Sequence, residues 1–312
     1  MKLSIVVAVR SLSQYDNVRR NFEGVERDEL ILAQGSNPSA QRNEGVRSAC
    51  GDIIYFADDD TAPCPGAAAK ALKAFENEAD TAVIGGPCLT PKTDSLLQKL
   101  FGAVFSSVFA AGRSASRYEA RGNRRESDEK ELILCNMFVR KKVFEDIGGL
   151  REELYPNEEN ELLNRVKKTG LKIIYDPEVC ADRSHRENIF EFLKQCFRYG
   201  RGRAEQIKLA GAPSDIINGV PALFLIYLLT APVFKDLPFI FAPAIVYAAL
   251  AAVFSVEAAF RRKNILFFAG AMPLFPLLHI YYGAGFITGL IFPGASSKKI
   301  NKDVVIKKGG SE

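Results

Sequence analysis

The stretch Gly51-Asp-Ile-Ile-Tyr-Phe-Ala-Asp-Asp-Asp60 places the tightest limit on what this chain can fold into. Ile53, Ile54, Tyr55 and Phe56 form a short continuous apolar run of β-branched and aromatic residues. That is the pattern of a strand covered on both faces, as in a parallel sheet. The run ends in three adjacent carboxylates, Asp58, Asp59 and Asp60, which repel one another and resist desolvation unless a cation is near. Along extended chain Asp58 and Asp60 point to one side and Asp59 to the other. Two hard oxygen ligands on one side suit Mg²⁺ or Mn²⁺, with substrate phosphates completing the shell. In open α/β sheets ligands sit beyond the carboxyl ends of the strands. The competing reading of the three acids alone is a solvated loop.

The flanking pattern favours the sheet. Leu3–Val9 reads as a first strand, 10–23 as helix or loop, and 30–33 as a second strand running into the turn signal Gln34-Gly-Ser-Asn-Pro38. Ser39 is a candidate N-cap for a helix over 39–49, with Gln41, Arg42 and Asn43 in its first turns and Gly51 closing it. Strand, helix, strand with short connections implies right-handed βαβ units. Further on, the pattern predicts a helix over 66–78, strands over Thr81–Gly85, 132–138 and Lys172–Tyr175, and a short helix over 141–147. Residues 96–111 are apolar at helical spacing, and 114–130 read as a mobile polar loop. A second acidic cluster, Glu158-Glu159-Asn-Glu161, opens a helix over 158–169 with Gly170 at its end. Acids in a first turn are also ordinary dipole capping. A helix over 189–199 carries Gln195, Arg198 and Tyr199 and ends in Gly200-Arg-Gly-Arg203.

Charge is distributed unevenly. Lys and Arg number 41 against 37 Asp and Glu, a net of +4, which calls for no polyanionic partner. The basic run Arg198–Arg203 is too short to mark nucleic-acid binding and reads as an anchor against anionic lipid head groups, or as part of the active-site mouth. From about 216 to 293 charges nearly vanish, in apolar blocks over 216–234, 237–256 and 265–292. Each of the first two is about the ~20 residues needed to span a bilayer. The third, broken by Pro273 and Pro276, reads as one tilted span or two shorter in-plane or re-entrant pieces, and the placing of basic residues favours a hairpin. The organisation expected is therefore 1–215 catalytic and cytoplasmic, 216–295 membrane helices and 296–312 a basic tail, at a cell inner membrane. The clusters Arg261-Arg-Lys263 and Lys298, Lys299, Lys302, Lys307 and Lys308 both ask to face the cytoplasm. The six cysteines show no CxxC pair and are expected as reduced thiols.

Taken together, the motifs resemble the family-2 inverting glycosyltransferases of the A-type glycosyltransferase fold. The resemblance rests on Ser4-Ile-Val-Val-Ala-Val9, Gln41-Arg-Asn-Glu-Gly45, the Asp58–Asp60 segment, Asn136-Met-Phe-Val-Arg140 with Gly148-Gly149, Glu158-Glu159 with Arg165, and Gln195-Cys-Phe-Arg198-Tyr199. It implies an α/β, Rossmann-like nucleotide-diphospho-sugar transferase domain with a mostly parallel sheet, followed by α-helical membrane segments. It implies a nucleoside-diphosphate sugar as donor and a lipid-linked or glycan acceptor. Glu159 would be the catalytic base. Asp58 and Asp60 would hold a divalent cation, with His185 as a further candidate ligand or else a surface histidine. Asp58, Asp59, Arg42, Gln34, Gln195, Arg198 and Tyr199 would line the donor, and Asn136 and Glu158 the acceptor side. Two departures stand out: Gln34 or Ser36 occupies the place of the family's acid near the nucleobase, and Glu159 that of its usual Asp. Two other classes remain open: a non-catalytic membrane scaffold of the same fold, and a metal-dependent phosphohydrolase or nucleotidyltransferase. The latter needs an Asp nucleophile with a downstream Lys or acidic pair, an arrangement the sequence does not show.

Overall fold

The computed structural model describes residues 1–154, 156–210, 217–292 and 303–310. In chain order the elements begin with β1 (Leu3–Val9), α1 (Tyr15–Asn21), β2 (Glu29–Gln34), α2 (Pro38–Ser48) and β3 (Ile53–Asp58). Next come β4 (Thr61–Pro63), α3 (Ala67–Asn77), β5 (Thr81–Gly85), β6 (Cys88–Leu89), α4 (Leu96–Phe105) and α5 (Val108–Ala111). They are followed by β7 (Arg125–Glu126), β8 (Asn136–Arg140), α6 (Lys141–Asp146), α7 (Glu158–Lys168), β9 (Lys172–Tyr175) and β10 (Ala181–Arg183). Helices α8 (Ile189–Ala210), α9 (Val220–Thr230), α10 (Ala242–Arg262) and α11 (Leu266–Ile291) precede a last strand, β11 (Val305–Gly310). The chain forms two compact units that interleave in sequence. One is Met1–Lys92, Ser116–Ser184 and Ser296–Glu312, the other Thr93–Ala115 and His185–Ala295.

The first unit is built on an eight-stranded sheet in the order β11-β2-β1-β3-β8-β5-β9-β7, beside a small sheet β4-β10-β6. The expected βαβ core is present, since β1 pairs in parallel with both β2 and β3. The sheet as a whole is mixed rather than mostly parallel. β8 runs antiparallel between β3 and β5, and both edge strands, β11 and β7, are antiparallel to their neighbours. Alternation divides the core between the two faces. Val6, Ile31, Ile54 and Phe56 meet Val46 of α2, Phe144 of α6 and Leu162, Leu163 and Val166 of α7. Ile5, Val7, Leu30, Ile53 and Tyr55 meet Val18 of α1 and Ala71 and Phe75 of α3. Gly45 is required where α2 crosses β1, because a Cβ there would run into the Val6 side chain.

Several local expectations shift. Asn37, not Ser39, caps α2: its Oδ1 accepts from the N–H groups of Ser39 (3.0 Å) and Ala40 (3.1 Å), with Pro38 at the first helical position. Gly51 lies after the helix has ended and is needed instead for its close approach to Ser4. Residues 132–135 fold irregularly and the strand begins at Asn136. Residues 112–117 form a 3₁₀ turn and Arg125–Glu126 a strand, where a mobile loop was expected. Cys64 and Cys180, 116 residues apart, are joined by a disulfide, against the expectation of free thiols throughout. Antiparallel pairing of β4 with β10 brings them together, and Cys64 N–H donates to the Cys180 carbonyl at 2.9 Å.

In the second unit α8 runs straight through Gly200-Arg-Gly-Arg203, expected to end it. Gly200 and Gly285 sit where a Cβ would strike backbone, of Tyr282 and Phe197 respectively, so small residues here serve contact between α8 and α11. The third apolar block is one continuous helix through Pro273 and Pro276, not a hairpin. The first block yields only the short α9. The basic tail is partly a strand: β11 pairs with β2 from Val305 opposite Gln34 to Gly310 opposite Glu29. Lys298, Lys299, Lys302 and the expected boundaries at 215 and 295 lie outside the described residues.

Candidate active site

The site grows from the carboxyl end of β3. The strand stops at Asp58, the chain turns through Asp59 and Asp60, and β4 carries it away. The Asp58 N–H donates to Thr61 Oγ1 at 3.2 Å and closes the turn. Arg183, at the end of β10 and opposite Thr61 in the small sheet, forks the two flanking acids. Its Nη2 lies 2.9 Å from Asp58 Oδ2 and its Nε 2.9 Å from Asp60 Oδ1. The chain is no longer extended here, yet Asp58 and Asp60 still address one side. Asp59 turns away, accepting from Gln14 Nε2 at 2.8 Å. Burial, then the charge of Asp60, raises its pKa above the ordinary value.

From Asp58 the charges continue inward. Arg42 Nη2 is 2.6 Å from Asp58 Oδ1, and Arg42 Nη1 is 3.3 Å from Glu158 Oε1 at the start of α7. The residue before that helix, Asn157, has φ +83°, a left-handed conformation Asn tolerates better than most residues. Glu158 and Glu159 are both buried. Burial first, and then the neighbouring Glu159, pushes the Glu158 carboxyl up to about 8 despite Arg42. Glu159 has its own cation: Arg117 Nη1 stands 3.1 Å from Glu159 Oε1. Arg117 is fixed in turn by Asn160 Oδ1 at 2.5 Å and by the carbonyls of Glu129 and Lys130. The result is a row of charges, Asp60, Arg183, Asp58, Arg42, Glu158, Glu159 and Arg117, that alternates in sign except where Glu158 adjoins Glu159.

The sequence model of the glycosyltransferase-like family 2 matches residues 2–202, which include every member of this row. The chain belongs to that family. Among solved structures it is similar to the mannosyltransferase PcManGT of Pyrobaculum calidifontis, in complex with GDP-Man and Mn²⁺. They share 14% identity over 93% of this chain and 87% of that one, with a TM-score of 0.54. Looser likenesses are to S. aureus TarS 1–349 with UDP-GlcNAc and to a Drosophila β1,4-galactosyltransferase 7 mutant with manganese, UDP-Gal and xylobiose. TarS shares 13% identity over 93% of this chain and 91% of that one, TM-score 0.42. The galactosyltransferase shares 14% over 61% and 73%, TM-score 0.36. At such identities the fold alone is shared, and the first likeness carries it. No curated protein matches in sequence.

The remaining predicted residues of this glycosyltransferase are placed as follows. Gln34, at the end of β2, accepts the Leu12 N–H at 2.8 Å. Asn136 is fully buried. It accepts from Tyr55 Oη at 3.0 Å and donates to the carbonyls of Val179 and Pro87 at 2.8 and 3.2 Å, binding β3, β8 and two loops together. Its neighbours in the family motifs also hold the frame: Gln41 clamps the Val9 and Ala33 carbonyls, and Arg165 the Gly149 carbonyl. His185, Gln195, Arg198 and Tyr199 belong to the second unit. There Gln195 Nε2 donates to Tyr199 Oη at 2.6 Å, the His185 ring stacks on Phe105 at 5.8 Å between centroids, and Arg198 is exposed.

Sequence reasoning missed Arg183 and Arg117. Arg183 follows the disulfide cysteine by three residues, and Arg117 stands in a stretch with no apolar period. Neither carries a local signal; each is defined by what lies across from it.

The donor set fits a divalent cation. Asp58 and Asp60 converge on one positive group, and Mg²⁺ or Mn²⁺ bound through one or two carboxylates takes its other ligands from phosphates and water. Among the described residues no group of three or more His, Cys, Asp and Glu side chains surrounds a common point, so substrate oxygens would supply the balance.

Proposed function

We propose that this glycosyltransferase transfers a sugar from a nucleoside diphosphate to a lipid-linked or glycan acceptor with inversion. The observation that carries the reading is the single row of charges joining the strand-end aspartates to the helix-start glutamates within the family-matched span. Asp58 and Asp60 would hold Mg²⁺ or Mn²⁺, which would neutralise charge on the departing diphosphate. Arg42 orients Asp58 and keeps Glu158 beside it. Glu159, aimed by Arg117, takes the proton from the acceptor hydroxyl. That oxygen bonds to the anomeric carbon as the bond to the phosphate oxygen breaks, and the nucleoside diphosphate leaves with the electron pair. One displacement suffices and needs no protein nucleophile. Gln195, Arg198 and Tyr199 stay assigned to the donor on the resemblance alone. Incubating the purified chain with GDP- and UDP-sugars and Mn²⁺ and following nucleoside diphosphate release tests the reading. Release lost in Glu159→Gln supports it, and undiminished release in that variant removes the base.

The same reading attaches the protein to a membrane. α10 and α11, of 21 and 26 residues, are long and apolar enough to cross one. α10 is mostly unburied, with Val253 at 61% and Phe260 at 79% exposure, unlike the core helix of a soluble protein. α9, 11 residues, measures about 17 Å against about 30 Å of hydrocarbon. Because β11 pairs into the catalytic sheet, the chain returns to the side it left, and the number of crossings is even. α10 and α11 supply two. Arg261, Arg262 and Lys263 would then lie opposite the catalytic unit, contrary to the positive-inside preference. Labelling with an impermeant maleimide decides the matter. The native exposed Cys50 and a Lys263→Cys probe should react from opposite faces of sealed vesicles. Reaction from one face would mean that neither helix crosses.

A further inference from the structure

Arg183 is the one member of the row that stands where a cation would. It holds Asp58 Oδ2 and Asp60 Oδ1 at 2.9 Å each, with its own side chain about one fifth exposed. Its guanidinium also approaches Cys135 Sγ at 3.5 Å. The backbone offers it little freedom: Arg183 is paired opposite Thr61, and three residues earlier Cys180 is bonded to Cys64. Asp58 is held from its other oxygen by Arg42, so a second cation there satisfies a carboxylate already paired. Asp60 is different. Its side chain is 42% exposed, and among the described residues Arg183 is its one ion-pair partner. A divalent ion seeking both carboxylates must therefore displace a guanidinium from Asp60, and two positive groups at that spacing repel.

We propose that Arg183 is a positioning residue that acts as the resident counter-ion of Asp58 and Asp60 and makes cation binding contingent on the donor. With no donor bound, Arg183 competes with Mg²⁺ or Mn²⁺ for the pair. A nucleoside diphosphate brings negative oxygens that give the displaced guanidinium a new partner, so cation and nucleotide bind cooperatively. Arginine suits this exchange because its planar fork fits carboxylate and phosphate alike. The inference rests on the transferase reading for the identity of the donor, but its first test does not.

That test is Mn²⁺ binding to the full-length protein in detergent, followed by the paramagnetic signal of free Mn²⁺, with metal alone and then with GDP or UDP added. Arg183→Gln should bind Mn²⁺ alone at least about tenfold more tightly than the native protein, and the enhancement by nucleotide should shrink by the same factor. Arg183→Lys, which keeps the charge but not the fork, should move the same way by less, and stands in if the Gln variant does not fold. Unchanged or weaker Mn²⁺ affinity in these variants overturns the proposal, as does native protein that binds Mn²⁺ equally with and without nucleotide. Native protein that binds Mn²⁺ more tightly with GDP or UDP, and loses that gain in Arg183→Gln, but takes up no nucleoside-diphosphate sugar would uphold the proposal and sink the transferase reading instead.

Discussion

Two acidic clusters face each other across one arginine, and they are built to opposite ends. Asp58–Asp60 sits on a turn after a strand, with Asp60 42% exposed, and the Arg183 guanidinium holds both Asp58 and Asp60. Glu158 and Glu159 sit in the first turn of a helix, with side chains 5% and 11% exposed. There burial and mutual repulsion favour a retained proton on Glu158, while Arg117 fixes the direction of Glu159. The same functional group thus meets a guanidinium in the open at one end and keeps a proton at the other, by surroundings alone.

The largest expected effects come from exchanging each end. Glu159→Gln should lower kcat by about 10²–10⁴-fold while leaving Mn²⁺-dependent donor binding in place. Asp60→Asn should remove the metal dependence of donor binding, read by calorimetry with and without Mn²⁺. If both variants lost binding, or both lost only rate, the division of labour between the clusters would be wrong.

Next in size is the frame behind the aspartates. The Cys64–Cys180 bond closes a loop whose ends are 116 residues apart, for which chain entropy gives about 4–5 kcal/mol. Cys64→Ser with Cys180→Ser should lower the melting temperature markedly and weaken metal-dependent binding. Thiol counting on denatured, unreduced protein should find four free cysteines: Cys50, Cys88, Cys135 and Cys196. Six would restore the reduced, cytoplasmic expectation.

The last effect is on pH dependence, and it belongs to the glutamate end. The folded carboxyl of Glu158 is raised to about 8 from an ordinary 4.5. Between those values the folded state keeps a proton that the unfolded state has lost. The contribution is therefore full below about 4.5 and is lost as pH rises through about 8, with a slope of at most about 1.4 kcal/mol per pH unit. Glu158→Gln should flatten that fall in melts between pH 5 and 9. An equal fall in the variant would place the titrating group elsewhere.

Much of the first unit is legible in the sequence because its signals are local. The apolar runs of β1, β2, β3, β5 and β9, the turn at 34–38 and the acids at 58–60 and 158–159 each declare themselves within a few residues. What escapes is set by distant pairing. Arg183 and Arg117 acquire meaning only opposite Asp58, Asp60 and Glu159. The disulfide depends on β4 meeting β10, and the tail becomes a strand only because the β2 edge is open to it. The glycines of α8 read as a helix end locally, yet they are the contact with α11. Pro273 and Pro276 read as a break, yet the helix runs through both.

The proposed donor site needs the aspartate pair and a divalent cation. Thermal melting of the full chain with a panel of nucleoside-diphosphate sugars, with and without Mn²⁺, tests it most directly, since a ligand of the folded state must raise its melting temperature. A metal-dependent rise with one nucleotide class, lost in Asp60→Asn, is expected. A folded protein that shows no rise with any donor, or the same rise in Asp60→Asn, would contradict it.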